Sequence, residues 1–288
     1  MRLELTKHYV DFVSESSLAG RYWYQDSFKP HIHPLNTPDG HTLSLRSPHD
    51  HPHHKGLMYS LRAADINFWE EYATTEAEKV GHQRHDTFYE LISEGEEVGF
   101  TEQLTWLASD GSLETFDEQR SLTCSYVGGA STYFRWKWST RLVAKRDLTL
   151  TLSPWSVTNN RGHRINYHGL GLRLRRDFGC TGGNKLLLDG QPVSFEEALG
   201  LAPNEATFIG TLDETSGKAG VTIAPCASHG LFVLQSPFAF ISFGPTVLGA
   251  SVLRTEDTLN DSYSISVFDG ERPRDQPTKP SPALTDQE

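Results

Sequence analysis

Apolar and polar side chains alternate at every second position through one stretch of this chain after another, a period that half-buried β-strands satisfy and helices do not. In TYFRWKWSTRLV, Phe134, Trp136 and Trp138 fall on one face and Arg135, Lys137 and Ser139 on the other. LTLTLSPWSV repeats the pattern through Leu148, Leu150 and Leu152, and similar runs occur at RYWYQ, HTLSLRS, GLMYSLRA, VGFTEQLTWLAS, NYHGLGLRLR, AGVTIAP, GLFVLQS and SYSISVFDG. Gly, Pro, Asn or Asp clusters stand between many of them, as short connections require. Helical character is confined to SFEEALGL, where Ser194 is placed to cap barely two turns before Gly200. No internal repeat of fixed period is present. The inventory predicts an all-β fold: a large antiparallel β-sandwich, of supersandwich or jelly-roll type, with very little helix. Residues 1–270 are expected to form one sandwich domain. The Pro- and charge-rich ERPRDQPTKPSPALTDQE, 271–288, has little to bury and is expected to be a flexible tail.

Lys and Arg total 26 against 37 Asp and Glu, a formal net charge of -11, with no long basic run. A nucleic-acid partner is therefore not expected, and a neutral or cationic small molecule suits the charge better. Cys124, Cys180 and Cys226 are too scattered for a zinc knuckle or a redox pair. No apolar run approaches the roughly 20 residues that span a bilayer, and MRLELTKHYVDFVSES lacks an apolar core of signal-peptide length. The expectation is a soluble, cytoplasmic protein without a membrane partner.

Residues 47–56, SPHDHPHHKG, place four histidines and an aspartate in ten positions. Turn chemistry gives no reason for imidazole there. Neutral imidazole ligates metals and moves protons near neutral pH, so the cluster is a candidate site. Two His-x-His pairs, His31 with His33 and His51 with His53, would each aim both rings to one side of an extended segment. Familiar templates are missing. The cupin glutamate is replaced by Lys55, Gly56 and Leu57, and there is no His-Glu-x-x-His helix and no Gly-x-Ser-x-Gly elbow.

Elsewhere, Glu118 and Arg120 share a strand face with Phe116 and Leu122, which reads either as a solvated face or as groups turned to a ligand. His168 is in phase with Leu170, Leu172 and Leu174. Tyr167 and Arg173 take the opposite face, where Gly169 and Gly171 leave room for a ligand to approach the strand. Trp69 of NFWEE is a sugar-stacking platform or a core plug. His82 and His85 are further ring donors with no partner visible in the sequence.

The order KPHIHPLNTPDG, DHPHHKGL and INFWEE, followed more loosely by YHGLGLR, resembles the signature of the PmoA-like domain family over nearly the whole chain. On that pattern His33, Asp50, His51, His53 and His54 match polar positions, Lys55 stands where arginine is usual, and His31 where an aromatic is usual. Lysine offers a point charge in place of arginine's planar fork. The chain lacks the apolar spans that a membrane-bound methane-oxidising subunit needs. The resemblance instead implies a soluble bacterial β-sandwich, often associated with sugar-catabolic oxidoreductases.

These readings converge on a carbohydrate-active enzyme that uses the His-rich segment for proton transfer on a sugar or oxidised sugar derivative, by hydrolysis, elimination or epimerisation. The expected catalytic residues are His51, His54 and Glu118. Substrate contacts are expected from His33, Lys55, Trp69, Arg120, Tyr167, His168 and Arg173. His33, His51 and either His53 or His54 should line one cavity with a carboxylate. A divalent transition metal on His51, His53 and Asp50 is a further option, which would suit a metal-dependent oxygenase. The remaining alternative is a non-catalytic sugar-binding module serving a partner oxidoreductase.

Overall fold

Alternation gives each strand one face to bury, and in the computed structural model these faces meet between two sheets. Residues 1–273 are described apart from Ser16, Ala130, Cys180 and Thr181, so most of the expected tail, 274–288, lies outside the described residues. Among the described residues the first sheet has eight antiparallel strands, ordered Arg2–Leu5, Tyr9–Val13, Leu18–Trp23, His31–Leu35, Leu57–Ser60, Gly169–Arg173, Phe240–Gly244 and Gly230–Leu234. The second is built around long antiparallel strands: Lys79–Ile92, Glu97–Ala108, Glu114–Val127, Tyr133–Ala144 and Thr258–Asp269. Lys218–Pro225 and Ala206–Thr211 extend it. The fold is thus the all-β sandwich that the alternation predicts. Among the described residues helix is limited to a 3-10 turn at Arg176–Gly179 and to Phe195–Ala198, where Ser194 and Glu197 form a reciprocal capping box. No helix among the described residues is long and apolar enough to cross a membrane.

Phe134, Trp136 and Trp138 point inward as their spacing requires. There Phe12 and Tyr22 of the first sheet meet Trp136 and Trp138 of the second, with ring centroids 4.7 and 6.3 Å apart. HTLSLRS departs from expectation. Instead of a strand it forms isolated bridges, Thr42 to Asn36, Ser44 to Leu174 and Arg46 to Lys55, because it is shared among neighbours and completes a ladder with none. Glu271 and Arg272, at the head of the expected tail, pair with Lys218 and Glu205 on the second sheet.

Glu118 and Arg120 correct the reading of their strand. Both share the inward face with Phe116 and Leu122, and both are wholly buried, neither solvated nor turned to a ligand. Arg120 grips Glu118 through two N–H bonds of 2.8 Å and reaches Tyr22 Oη at 2.9 Å and Gln83 Oε1 at 3.1 Å. Glu118 also accepts from Trp106 Nε1 and Thr140 Oγ1. Tyr22 donates on to Glu102, whose other oxygen meets His85. Tyr22 sits in the first sheet and its partners in the second, so the network ties the two together. A buried pair persists only when its remaining donors and acceptors are satisfied, and here they are.

Alternation also sorts the first sheet's own two faces. Leu57, Tyr59, Leu170, Leu172, Ile241 and Phe243 enter the main core. The intervening Met58, Phe232 and Phe240 join Trp69 in a second apolar cluster on the outer face. That outer face carries the site.

Candidate functional site

The histidine segment is not extended, which corrects the expectation for His51 and His53. Ser47 N–H closes it by donating to the His54 carbonyl at 2.7 Å, and two tight turns follow each other inside, Pro48 to His51 and His51 to His54. Pro52 occupies the second position of the latter, where its fixed φ favours a turn over a strand. His51 and His54 are that turn's ends, and their rings stack at 4.8 Å with 15° between planes. His53 stands edge-on to His54 at 4.6 Å.

Arg173, from the end of its strand, organises this wall. Nη2 donates to Asp50 Oδ2 at 2.8 Å, and His51 Nδ1 meets the same oxygen at 3.0 Å. Nη1 donates to His54 Nδ1 at 3.3 Å, so the hydrogen of a neutral His54 ring resides on Nε2. Partial burial would raise the Asp50 carboxyl, but the hydrogen bonds from Arg173 and His51 outweigh it and hold the group well below the usual range. Burial, helped by the Lys29 ammonium, holds His53 down to about 3. Burial and the adjacent His53 and His51 rings push His54 well below its ordinary value. Both rings are neutral at neutral pH.

A second wall comes from NFWEE. Asn67 Oδ1 accepts from the Trp69 and Glu70 N–H groups, each at 3.0 Å. Lys29 Nζ, fully buried, donates to the Trp69 carbonyl at 2.7 Å and pairs with Glu71 Oε1 at 2.7 Å. Glu71 takes a left-handed φ of 62°, a conformation that costs a non-glycine residue about 1 kcal/mol. The two adjacent glutamates consequently part company: Glu71 serves Lys29 and Lys55, and Glu70 turns to the cavity. Glu70 Oε1 accepts from Tyr167 Oη at 2.6 Å and Ser153 Oγ at 2.9 Å. Its Oε2 is buried without a hydrogen-bond partner.

Between these walls lies a cavity of about 370 Å³. Phe232, Leu234, Phe238 and Phe240 supply an apolar side, and Trp155 and Tyr72, 64% and 48% exposed, stand at its mouth. Of the residues expected from the sequence, Asp50, His51, His53, His54 and Tyr167 come together here, with Arg173 behind them. His33 does not. It opens on a separate depression with Ser44 and Arg175, its Nδ1 2.9 Å from Ser44 Oγ. Lys55 is turned to Glu71, and His168 is buried against Trp69 with ring centroids 5.3 Å apart. Trp69 is fully buried and packs over Gly171: a Cβ there would lie 2.9 Å from its ring and 2.7 Å from Phe240. The room above that strand is therefore filled by the protein itself. Glu70, Ser153 and Trp155 escaped the sequence reading, and only the acidic pair after Asn-Phe-Trp pointed toward the first.

Among the described residues no three His, Cys, Asp or Glu side chains are grouped to hold a metal. Asp50 Oδ2 and His54 Nδ1 are both directed at the Arg173 guanidinium, which a cation on Asp50, His51 and His53 would have to displace.

Fold and site together define a β-sandwich protein with a cavity on the outer face of one sheet. Over residues 9–279 the chain matches DUF6807, a family of unknown function, and it belongs to that family. No match is found among curated proteins. Among solved structures it is similar to a heparan sulfate lyase HepC mutant from Pedobacter heparinus, with TM-score 0.38 and 10% identity over 95% of this chain and 37% of that one. It is also similar to the GH36 α-galactosidase AgaB from Geobacillus stearothermophilus, with TM-score 0.44 and 8% identity over 94% and 41%. A third is an α-galactosidase from Lactobacillus brevis, with TM-score 0.36 and 12% identity over 93% and 39%. The chain spans about two fifths of the length of each.

Proposed function

We propose that the cavity binds a sugar or oxidised sugar derivative and catalyses proton transfer on it, with Glu70 as base and His54 as hydrogen-bond donor. The observation that carries this reading is Glu70 Oε2. A buried acceptor left unpaired costs about 1–3 kcal/mol, and more when charged, so it is retained where something else supplies the missing donor. Oε1 is held by two hydroxyls, which fixes the carboxylate where Glu70 lines the cavity and leaves Oε2 as its unpaired oxygen.

A neutral imidazole with its hydrogen on Nε2 steadies an oxygen on which negative charge collects. A carboxylate that takes a proton from carbon beside a carbonyl, opposite such a donor, meets the needs of elimination and epimerisation. The same carboxylate serves hydrolysis by taking a proton from water. An oxidised sugar has to come from an oxidoreductase, the association that the PmoA-like resemblance implies. Trp155 and Tyr72 offer faces for sugar C–H groups. A non-catalytic binding module would share those rings, whereas a carboxylate with one unpaired oxygen in a cavity shared with neutral imidazoles favours chemistry.

The test is a screen of neutral glycosides and keto-sugars with the natural chain and Glu70→Gln. The variant is expected to bind the substrate found and to lose turnover by about 100-fold or more. Undiminished turnover in Glu70→Gln sinks the catalytic assignment, and binding without turnover in the natural chain gives the binding module instead.

A further inference from the structure

The cavity lining mixes two kinds of group. Asp50, His51, His53, Glu70 and Tyr167 are polar, while Val157, Phe232, Leu234 and Phe238 are apolar, with the Phe238 ring 4.4 Å from His51 and the Phe232 ring 5.5 Å from Tyr167. Val157, Leu234 and Phe238 pack on the second apolar cluster but are only partly buried, which leaves apolar surface turned to the void. A bare sugar carries hydroxyls around its whole rim. Pressed against Phe232, Leu234 or Phe238, some would lose water and find no partner, at a cost of about 1–3 kcal/mol each. The charged lining groups are Asp50 and Glu70, both acidic, and no Lys or Arg among the described residues lines the cavity. Arg173 lies behind Asp50 with its guanidinium carbon 4.1 Å from the centre of the Phe238 ring. An anionic sugar would therefore meet the Glu70 carboxylate with no lining cation free to pair with it, Arg173 being taken up by Asp50.

We infer, resting on the sugar reading above, that the ligand is an uncharged glycoside whose aglycone is an aromatic or similarly flat apolar ring. The sugar lies against Glu70 and the imidazoles, and the aglycone against Phe232, Leu234 and Phe238. A volume of about 370 Å³ gives room for one sugar ring and one ring-sized substituent, at the small end of ligand sites.

Calorimetry on the full chain tests this by comparing 4-nitrophenyl glycosides with methyl glycosides of the same sugars, 4-nitrophenyl glucuronide and 4-nitrophenol. The aryl glycoside is expected to bind about tenfold tighter or more than its methyl counterpart, the gain that burying one apolar ring provides. Leu234→Ala should shrink that ratio, and the glucuronide should bind more weakly than the neutral aryl glycoside. Equal, measurable binding of aryl and methyl glycosides overturns the aglycone inference and leaves the sugar reading standing. Nitrophenol binding as tightly as the aryl glycoside overturns the sugar reading itself.

Discussion

Arg173 sets the character of the histidine wall. Its side chain is 3% exposed, and its planar fork lets one group hold Asp50 and face His54 at once. Lysine keeps the charge and loses the fork. Arg173→Lys is expected to lower unfolding free energy in urea by about 1–3 kcal/mol. The Asp50 carboxyl, followed by NMR titration, should rise back toward the ordinary range. Glu118 behaves differently because it touches no part of the cavity. Glu118→Ala leaves the Arg120 guanidinium buried and unpaired, so a loss of about 3–5 kcal/mol is expected, read from the urea midpoint. A Glu118→Ala protein of natural stability but without activity would return that residue to the catalytic list.

Among the elements, Gly169–Arg173 has the most to lose from a small change. Gly171→Ala would drive a methyl into Trp69 and Phe240, with an expected cost of about 1–3 kcal/mol in urea unfolding and weakened ligand binding, since Phe240 lines the cavity. This strand also shows what a linear reading reaches. Its phase, with Leu170 and Leu172 inward and Arg173 outward, was legible from alternation alone. What fills the space over Gly171 was not, because Trp69 and Phe240 arrive from segments far away in sequence. Glu118 and Arg120 repeat the lesson: their shared face with Phe116 was readable, but Tyr22, the partner that makes them structural, lies 98 positions from Arg120. His51 and His53 were set on an extended segment because period two dominates the chain, and Pro52 acting as a turn residue defeats that period locally. Glu70 depends on the left-handed Glu71 and on buried Lys29, neither of which leaves a mark in the letters NFWEE.

At the scale of the molecule, buried neutral histidines make stability depend on acidity. Burial holds His31, His53 and His168 down to about 3, whereas an unfolded chain binds their protons near 6.5. Their contribution is complete above that upper value and is lost as the pH falls from about 6.5 toward 3. Each ring protonated only in the unfolded state adds up to ~1.4 kcal/mol per pH unit to the slope. Glu102, raised by its burial, pulls the other way in the acid range. The urea midpoint should therefore drop steeply between pH 6.5 and 4, and a flat midpoint would show that these rings meet solvent in the folded protein. The cavity draws on residues from Asp50 to Phe240, so its histidine wall is synthesised long before its floor. At ribosomal speeds of about 5–20 residues per second, roughly ten to forty seconds separate the two. Arg173 follows about two thirds of the way through that wait, so for most of it the imidazoles lack the guanidinium that holds Asp50 and faces His54. A chain released before Phe240 would carry the full histidine motif and no cavity, so ligand binding rather than imidazole chemistry is the mark of a finished molecule.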